Sequence, residues 1–370
     1  MIRASVAQFV GREAAPDGLA RARHEGGGFD RGLHRQAGEL GWLGMLVPEA
    51  YGGSAMPVGI CAAAVEELGR APLMGPLLTS GVIATLVILE GGSDAQKSAL
   101  LPPMVAGERT ATLAAMDSGR GWGPAFVTAR ARPDGDRIRI DGRKAFVHDA
   151  ATADTFICAA RLPADGPDAF SLILVDAGAM GVVIEPLPGL PSGLSAVSFD
   201  GVAVPTEAIL GAPGAGRGTL ERATHRALPL VCAFMSGACQ AIFDFTVEYT
   251  GQRSAFGQLI GRFQRVQDHV VELANQMDGA HWMTLELLAK IEAGTATAAD
   301  IHETAAVATE AYYQVCNYSH MVHAGPGTDL DHPLMGHTIA SRALYQLMGT
   351  PDHHKRRMMD LRFPRGGAPA

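Results

Sequence analysis

Two hydrophobic periods divide this chain. Apolar residues recur at helical spacing over most of residues 1–110 and again beyond residue 214, while the stretch between them alternates with period two. The helical period predicts elements over residues 29–41, 56–70, 79–90 and 95–106. Ile60, Ala64 and Leu68 fall on the buried face of the second, and Ser93-Asp94 caps the last. Between the first two, Pro48 and the Gly52-Gly53 pair break the pattern. From about Thr110 short strands are predicted at residues 112–116, 125–131, 137–140, 143–147, 155–160, 170–175, 182–186 and 196–199, with a hairpin at Asp134-Gly135. Strands this short and closely spaced describe a compact β-barrel or sandwich. The glycine-rich run 211–218 reads as a linker into a second helical region reaching about Leu361. Two long apolar helices are expected there, over residues 227–250 and 266–293.

The reading is therefore an α+β multidomain chain. A helical domain (1–110) is followed by a β-domain (111–213) and a second helical domain (214–370), the last a four-helix bundle once the resemblance below is added. That order excludes a doubly wound nucleotide-binding sheet. Hydrophobic residues make up 47% of the chain and charged ones 18%, which is a well-packed globular composition. A net charge of -8 gives no basic face for nucleic acid, and Lys355-Arg356-Arg357 reads as a solvated helix face. The five cysteines are odd in number and have no CxxC pair, as expected of reduced thiols in a cytoplasmic protein. The N-terminus shows no signal-peptide pattern, and the most apolar run (227–243) carries Pro229, Ser236 and Gln240, so no membrane span is expected.

Several motifs fail on inspection. The 211–218 loop lacks the Lys-Ser/Thr ending of a phosphate loop, His302-Glu303 has no second histidine four residues on, and Ser192 is misplaced for a nucleophile elbow. No histidine pair has metal-ligand context, so no metal is expected. Two stretches remain. Arg253-Ser-Ala-Phe256-Gly-Gln-Leu-Ile-Gly-Arg-Phe-Gln264 presents a guanidinium, a ring and an amide between the two long helices. A guanidinium there suits a pyrophosphate, and it equally suits a solvated helix end. His323-Ala-Gly325-Pro-Gly327 breaks a helical pattern where backbone amides can approach a ligand, or where the chain simply turns.

Taken with residues 41–53, Val65-Glu-Glu-Leu-Gly-Arg70, Arg143-Lys-Ala-Phe-Val147 and Phe199-Asp-Gly-Val-Ala-Val-Pro205, these motifs resemble the acyl-CoA dehydrogenase family of flavoproteins over nearly the whole chain. The resemblance implies three domains, usually in a tetramer, with FAD between the β-domain and the C-terminal helices. It implies that Arg253 and Phe256, with Gln264 nearby, reach the adenosine-pyrophosphate half of a neighbouring subunit's FAD, and that Gly325 packs against it in the same way. The implied reaction is α,β-desaturation of an acyl-CoA thioester. A carboxylate takes the α-proton, the β-hydride goes to the flavin, and an electron-transfer flavoprotein accepts the electrons.

The sequence departs from the family where the chemistry is done. The glutamate expected before Gly349-Thr350 is Met348, and the alternative base position falls near Ala227. Neither residue accepts a proton. The Thr-Glu-Pro signature reads Met116-Asp117-Ser118, and the aromatic-x-Thr that covers the flavin ring reads Phe146-Val147-His148. A glutamine expected before the glycine turn is Met321. The groups serving a subunit's own flavin are changed and the donated motif is intact. Three readings stay open: the non-catalytic half of a heteromeric dehydrogenase, an autonomous homotetramer with a relocated base (Asp329, Asp331, Asp244 or Glu248), or a non-redox acyl-CoA-binding scaffold. Helix capping is the plainer reading of Asp329 and Asp331.

Overall fold

The computed structural model describes residues 2–13, 31–117, 126–163, 166, 169–189 and 193–364. Its helices are α1 (Ile2–Glu13), α2 (Arg31–Glu39), α3 (Val58–Arg70), α4 (Pro76–Gly91), α5 (Asp94–Val105), α6 (Gly216–Gln252), α7 (Gln264–Glu292), α8 (Ala298–His323), α9 (Pro333–Leu344) and α10 (Pro351–Arg362). Its strands are β1 (Ala111–Ala114), β2 (Arg130–Asp134), β3 (Arg137–His148), β4 (Thr155–Ala160), β5 (Ser171–Asp176), β6 (Val182–Pro186), β7 (Leu194–Pro205), β8 (Ser254–Ala255) and β9 (Gln258–Leu259). The chain forms two compact units. One takes its described residues from Met1–His24, Val58–Met74 and Leu228–Ala370, the other from Glu25–Pro57 and Gly75–Ala227.

The first unit is helical. Its α3 and α6 cross at glycines: a Cβ on Gly69 would lie 1.9 Å from the Phe234 carbonyl oxygen, and one on Gly237 would lie 2.0 Å from that of Glu66. No other residue fits at this approach. On α3 the buried face carries Cys61, Ala62, Ala64, Val65 and Leu68, while Ile60 is 39% exposed, against expectation. Residues 60–65 are all apolar, so the pattern could not choose the phase of the helix. Helix α8 opens with a capping box between Thr297 and Asp300, and His302 lies in its second turn. Helix α6 is long and apolar enough to cross a membrane, but 67% of its most apolar window is buried inside the protein. All five cysteines are buried and unbridged; burial pushes the Cys61 and Cys158 thiols up to about 11.

In the second unit two sheets share one core. The first has the order β1-β4-β5, with β1 parallel to β4; the second, β2-β3-β7-β6, is antiparallel throughout. Phe156 on β4 meets Phe199 on β7 edge-on at 6.1 Å inside that core. The strands expected at 137–140 and 143–147 are one strand, bulged between Ile140 and Gly142 and again between Lys144 and Val147. The strand expected at 125–131 forms instead as Arg130–Asp134. The segment before it spends its hydrogen bonds elsewhere: the Thr128 and Ala129 N–H groups donate to the Asp117 carboxylate, and the Ala129 carbonyl accepts from Arg161 N–H at 2.9 Å. The glycine run 211–218 is likewise not a free linker. Gly214 N–H donates to Ser171 Oγ at 2.9 Å and Gly216 N–H to the Phe170 carbonyl at 2.8 Å, stitching it along β5.

A fully buried lysine stands at the second bulge. Among the described residues the only partner of the Lys144 ammonium is the Asp117 carboxylate, itself almost wholly buried. Losing one member of a buried pair leaves the other charge uncompensated, a cost of about 3 kcal/mol or more. Lys144→Met is expected to destabilise by about that amount in urea denaturation. Adding Asp117→Asn should recover part of it, because the amide oxygen still accepts the Thr128 and Ala129 N–H groups. A Lys144→Met variant within about 0.5 kcal/mol of the parent would refute the assignment.

Candidate functional site

Helix α6 ends at Gln252, and β8 and β9 follow as a hairpin closed by Phe256-Gly257. Both turn residues have positive φ, +50° and +79°, as a two-residue type I′ connection requires. Asparagine is the usual first residue of such a turn; phenylalanine in that conformation is strained. Its ring is 98% exposed, touching Phe263 edge-on at 6.2 Å. Arg253 and Gln264 flank the hairpin, both exposed, and among the described residues neither side chain has a hydrogen-bond or ion-pair partner. The hairpin thus presents a free guanidinium, a free amide and a bare ring on the outside of the first unit.

The break after α8 lies in the same unit. Ala324, not a glycine, carries its positive φ (+52°). Gly327 is glycine for packing, since a Cβ there would lie 2.8 Å from that of His323. Gly325 is exposed, with open space where a Cβ would be, so a ligand can approach its backbone. The capping expected of Asp329 and Asp331 is not what forms. Asp329 Oδ1 accepts the Asp331 N–H at 3.0 Å, and the cap of α9 is the His332 imidazole, which accepts from Leu334 N–H at 3.2 Å.

The positions matched to a subunit's own flavin lie in the second unit. Met116 and Phe146 are half-buried, and the Ala145 N–H donates to the Met116 carbonyl at 2.7 Å. Phe146 sits in the second bulge at φ +53°. Ser118 lies outside the described residues. His148 is buried, which pulls its imidazole down to about 4 and keeps it neutral at pH 7. Sequence reasoning missed the neighbouring residue. Asp149 has φ +54° and accepts the Thr79 hydroxyl at Oδ2 (2.5 Å), and burial pushes its carboxyl up to about 6. In the sequence it is merely an acidic residue at a strand end; the π-helical turn Thr79–Ala84 within α4, which carries its Thr79 partner, shows only in the structure.

No carboxylate stands at either position weighed for the base. Met348 is 3% exposed and Ala227 is buried. Asp244 is ion-paired with Arg70 at 2.9 Å, and Glu248 accepts from Gln252 at 2.8 Å. For FAD the fit is divided. Arg253, Phe256, Gln264 and Gly325 have the freedom and exposure that a cofactor brought from outside the subunit requires. Around Phe146 the hydroxyls that would bond a flavin edge are replaced by a methionine and a neutral imidazole. Among the described residues no three His, Cys, Asp or Glu side chains cluster to hold a metal.

Family models for the acyl-CoA dehydrogenase N-terminal, middle and C-terminal domains match residues 1–108, 114–202 and 214–360 in turn. The chain belongs to the acyl-CoA dehydrogenase family. It is 26% identical to a probable acyl-CoA dehydrogenase, YngJ, of Bacillus subtilis over 88% of both chains. It is 28% identical to a glutaryl-CoA dehydrogenase of Desulfococcus multivorans over 81% of this chain and 80% of that one. The fold is shared with the ChsE4-ChsE5 complex from Mycobacterium tuberculosis, at a TM-score of 0.87 and 24% identity over 100% of this chain and 97% of the other. The chain is thus an acyl-CoA dehydrogenase-like flavoprotein, and Arg253, Phe256, Gln264 and Gly325 are exposed on its first unit.

A fully exposed ring contributes little to the stability of its own subunit. Phe256→Ala is expected to keep the denaturation midpoint of the chain alone within about 0.5 kcal/mol of the parent. FAD retention by the assembled protein should fall at least about tenfold, read by flavin fluorescence after gel filtration. Unchanged retention would show that the ring meets no cofactor.

Proposed function

We propose that this chain is one subunit of a heteromeric, tetrameric acyl-CoA dehydrogenase that desaturates an acyl-CoA thioester. It lends Arg253 and Phe256 to FAD held by a partner subunit that carries the catalytic carboxylate. One juxtaposition supports this reading: the donated set is free and outward-facing, while the base position is a buried methionine. FAD supplies the acceptor for the hydride leaving the β-carbon. The task of this chain is to bind and orient, with the Arg253 fork suited to a pyrophosphate and the Phe256 ring to the adjoining adenosine. One structure sharing this fold is itself a complex of two differently named chains, ChsE4 and ChsE5. We place the assembly in the cytoplasm, with an electron-transfer flavoprotein as its electron acceptor.

Asp149 favours a second reading, an autonomous homotetramer. Its carboxyl is raised to about 6 by burial, its Oδ1 has no hydrogen-bond partner among the described residues, and it directly follows the Phe146–His148 stretch. A carboxylate so poised is a plausible proton acceptor, which the exposed Asp244, Glu248, Asp329 and Asp331 are not.

The flavin-to-protein ratio decides, measured on the chain purified alone and then co-expressed with its genomic neighbour. A colourless chain that reaches about half-stoichiometric FAD with a partner is the expected result, and Arg253→Ala should then lower that content. One FAD per chain, bleached by an acyl-CoA without any partner, would overturn the heteromeric reading. A chain colourless in both forms would leave the non-redox scaffold.

A further inference from the structure

The turn that carries Gly325 rests on a cluster of histidines. His323, the last residue of α8, stacks on Tyr249 of α6 at 4.4 Å and meets His332 edge-on at 4.9 Å; Phe245 of α6 lies against both. His320, one turn earlier, is 2.7 Å through Nε2 from the Thr338 hydroxyl of α9. His337 of α9 is 3.2 Å through Nδ1 from the Tyr312 hydroxyl of α8.

The hydrogen bonds assign the tautomers. Thr338 gives its own proton to the Leu334 carbonyl at 2.8 Å, so His320 must donate through Nε2. Its Nδ1 is then a bare lone pair, buried with no hydrogen-bond partner, beside Gly327. His323 Nδ1 is 3.0 Å from the Ser319 carbonyl and therefore carries its proton there. His332 is the most constrained. Its Nδ1 accepts the Leu334 N–H and so cannot hold a proton while it caps α9. Protonation would remove that cap and place a positive charge against the first turn of a helix, where the dipole opposes it.

We propose that His332 is a positioning residue: its neutral imidazole caps α9 and thereby holds the 324–331 turn, so that acid releases Gly325 from its FAD-facing position. This rests on the donation reading given above. Burial lowers the proton affinity of His332, with Asp329 pulling the other way; it does the same to His320, where Arg342 and His332 add to it, and to His323, where the Ser319 carbonyl opposes it and His332 and His320 add to it. Each imidazole titrates lower in the folded chain than its ordinary value of 6.5. The unfolded chain therefore takes up more protons below that pH, and the stability these groups contribute is present above about pH 6.5 and lost as the pH falls.

His332→Asn tests this, because asparagine caps at least as well as histidine and does not titrate. Two readouts are taken from about pH 7.5 down to about pH 5.5: the melting temperature of the full chain alone, and FAD retention by the co-expressed assembly. The parent should lose both as the pH falls. The Asn variant should lose them less steeply, the linkage slope falling by no more than about one proton. A variant as acid-sensitive as the parent in melting overturns the assignment. If His332→Asn does not fold, His332→Asp keeps the capping oxygen and titrates below this window, so the same comparison applies. The donation reading fails separately, if Arg253→Ala leaves FAD retention at about pH 7.5 unchanged; the melting slope of the chain alone then still decides the histidine.

Discussion

A bulky residue held at positive φ with its ring in solvent is unfavourable twice over, in backbone strain and in exposed apolar surface. The hairpin of β8 and β9 keeps both at Phe256. Among the described residues its ring contact is Phe263 alone, and the ring is 98% exposed, so it buries little within them. Such a cost persists when something outside the subunit covers the ring, and the residues around it are consistent with that. Among the described residues Arg253 and Gln264 have no side-chain partners beside it, and the break after α8 leaves Gly325 open. The arrangement makes chemical sense as half of a site.

The second unit carries the positions that depart from the resemblance. Its scaffold is intact: the Lys144–Asp117 pair ties the end of β1 to the bulge in β3, and the Ala145 N–H reaches the Met116 carbonyl across the same gap. Where the resemblance expects threonine hydroxyls, that scaffold carries Met116 and His148. A neutral hydrogen bond to a ligand is worth only about 0.5–1.5 kcal/mol, so losing two of them weakens a seat without abolishing it. On the proposed reading, a methionine at the base position is different in kind. A buried Met348 has no lone pair basic enough to take an α-proton, and no rearrangement of its rotamer supplies one. The binding half of the function can therefore degrade by degrees, whereas the proton-transfer half is either present or absent.

How much of this was legible in the sequence follows from the range of the interactions. Period and punctuation located the helical and β regions, because burial of one face is a local property of a helix or strand. They erred where local pattern was degenerate. The all-apolar run at 60–65 could not set the phase of α3, and the Asp141-Gly142 interruption looked like a strand end when it is a bulge paired with β7. The hairpin residues Arg253, Phe256 and Gln264 could be singled out because they form one contiguous motif. Asp149 was not, because what distinguishes it is its burial and the Thr79 hydroxyl reached from 70 residues away in sequence.

The cap of α9 shows the same limit at its sharpest. Between Thr328 and Pro333 the sequence offers two aspartates, the residues that helix starts favour, and a histidine, which they do not. Propensity chooses an aspartate. The chain chooses His332, because Pro333 occupies the first helical position and the residue immediately before it is the one whose side chain can reach the Leu334 N–H. Asp329 is then free to close the preceding turn onto the Asp331 N–H. An aspartate at the cap would have served over the whole physiological pH range. A histidine serves only while it is neutral, and its ring must also pack against His323 and Phe245. The residue that propensity would reject is thus the one that couples the geometry of the glycine turn to the proton concentration around it.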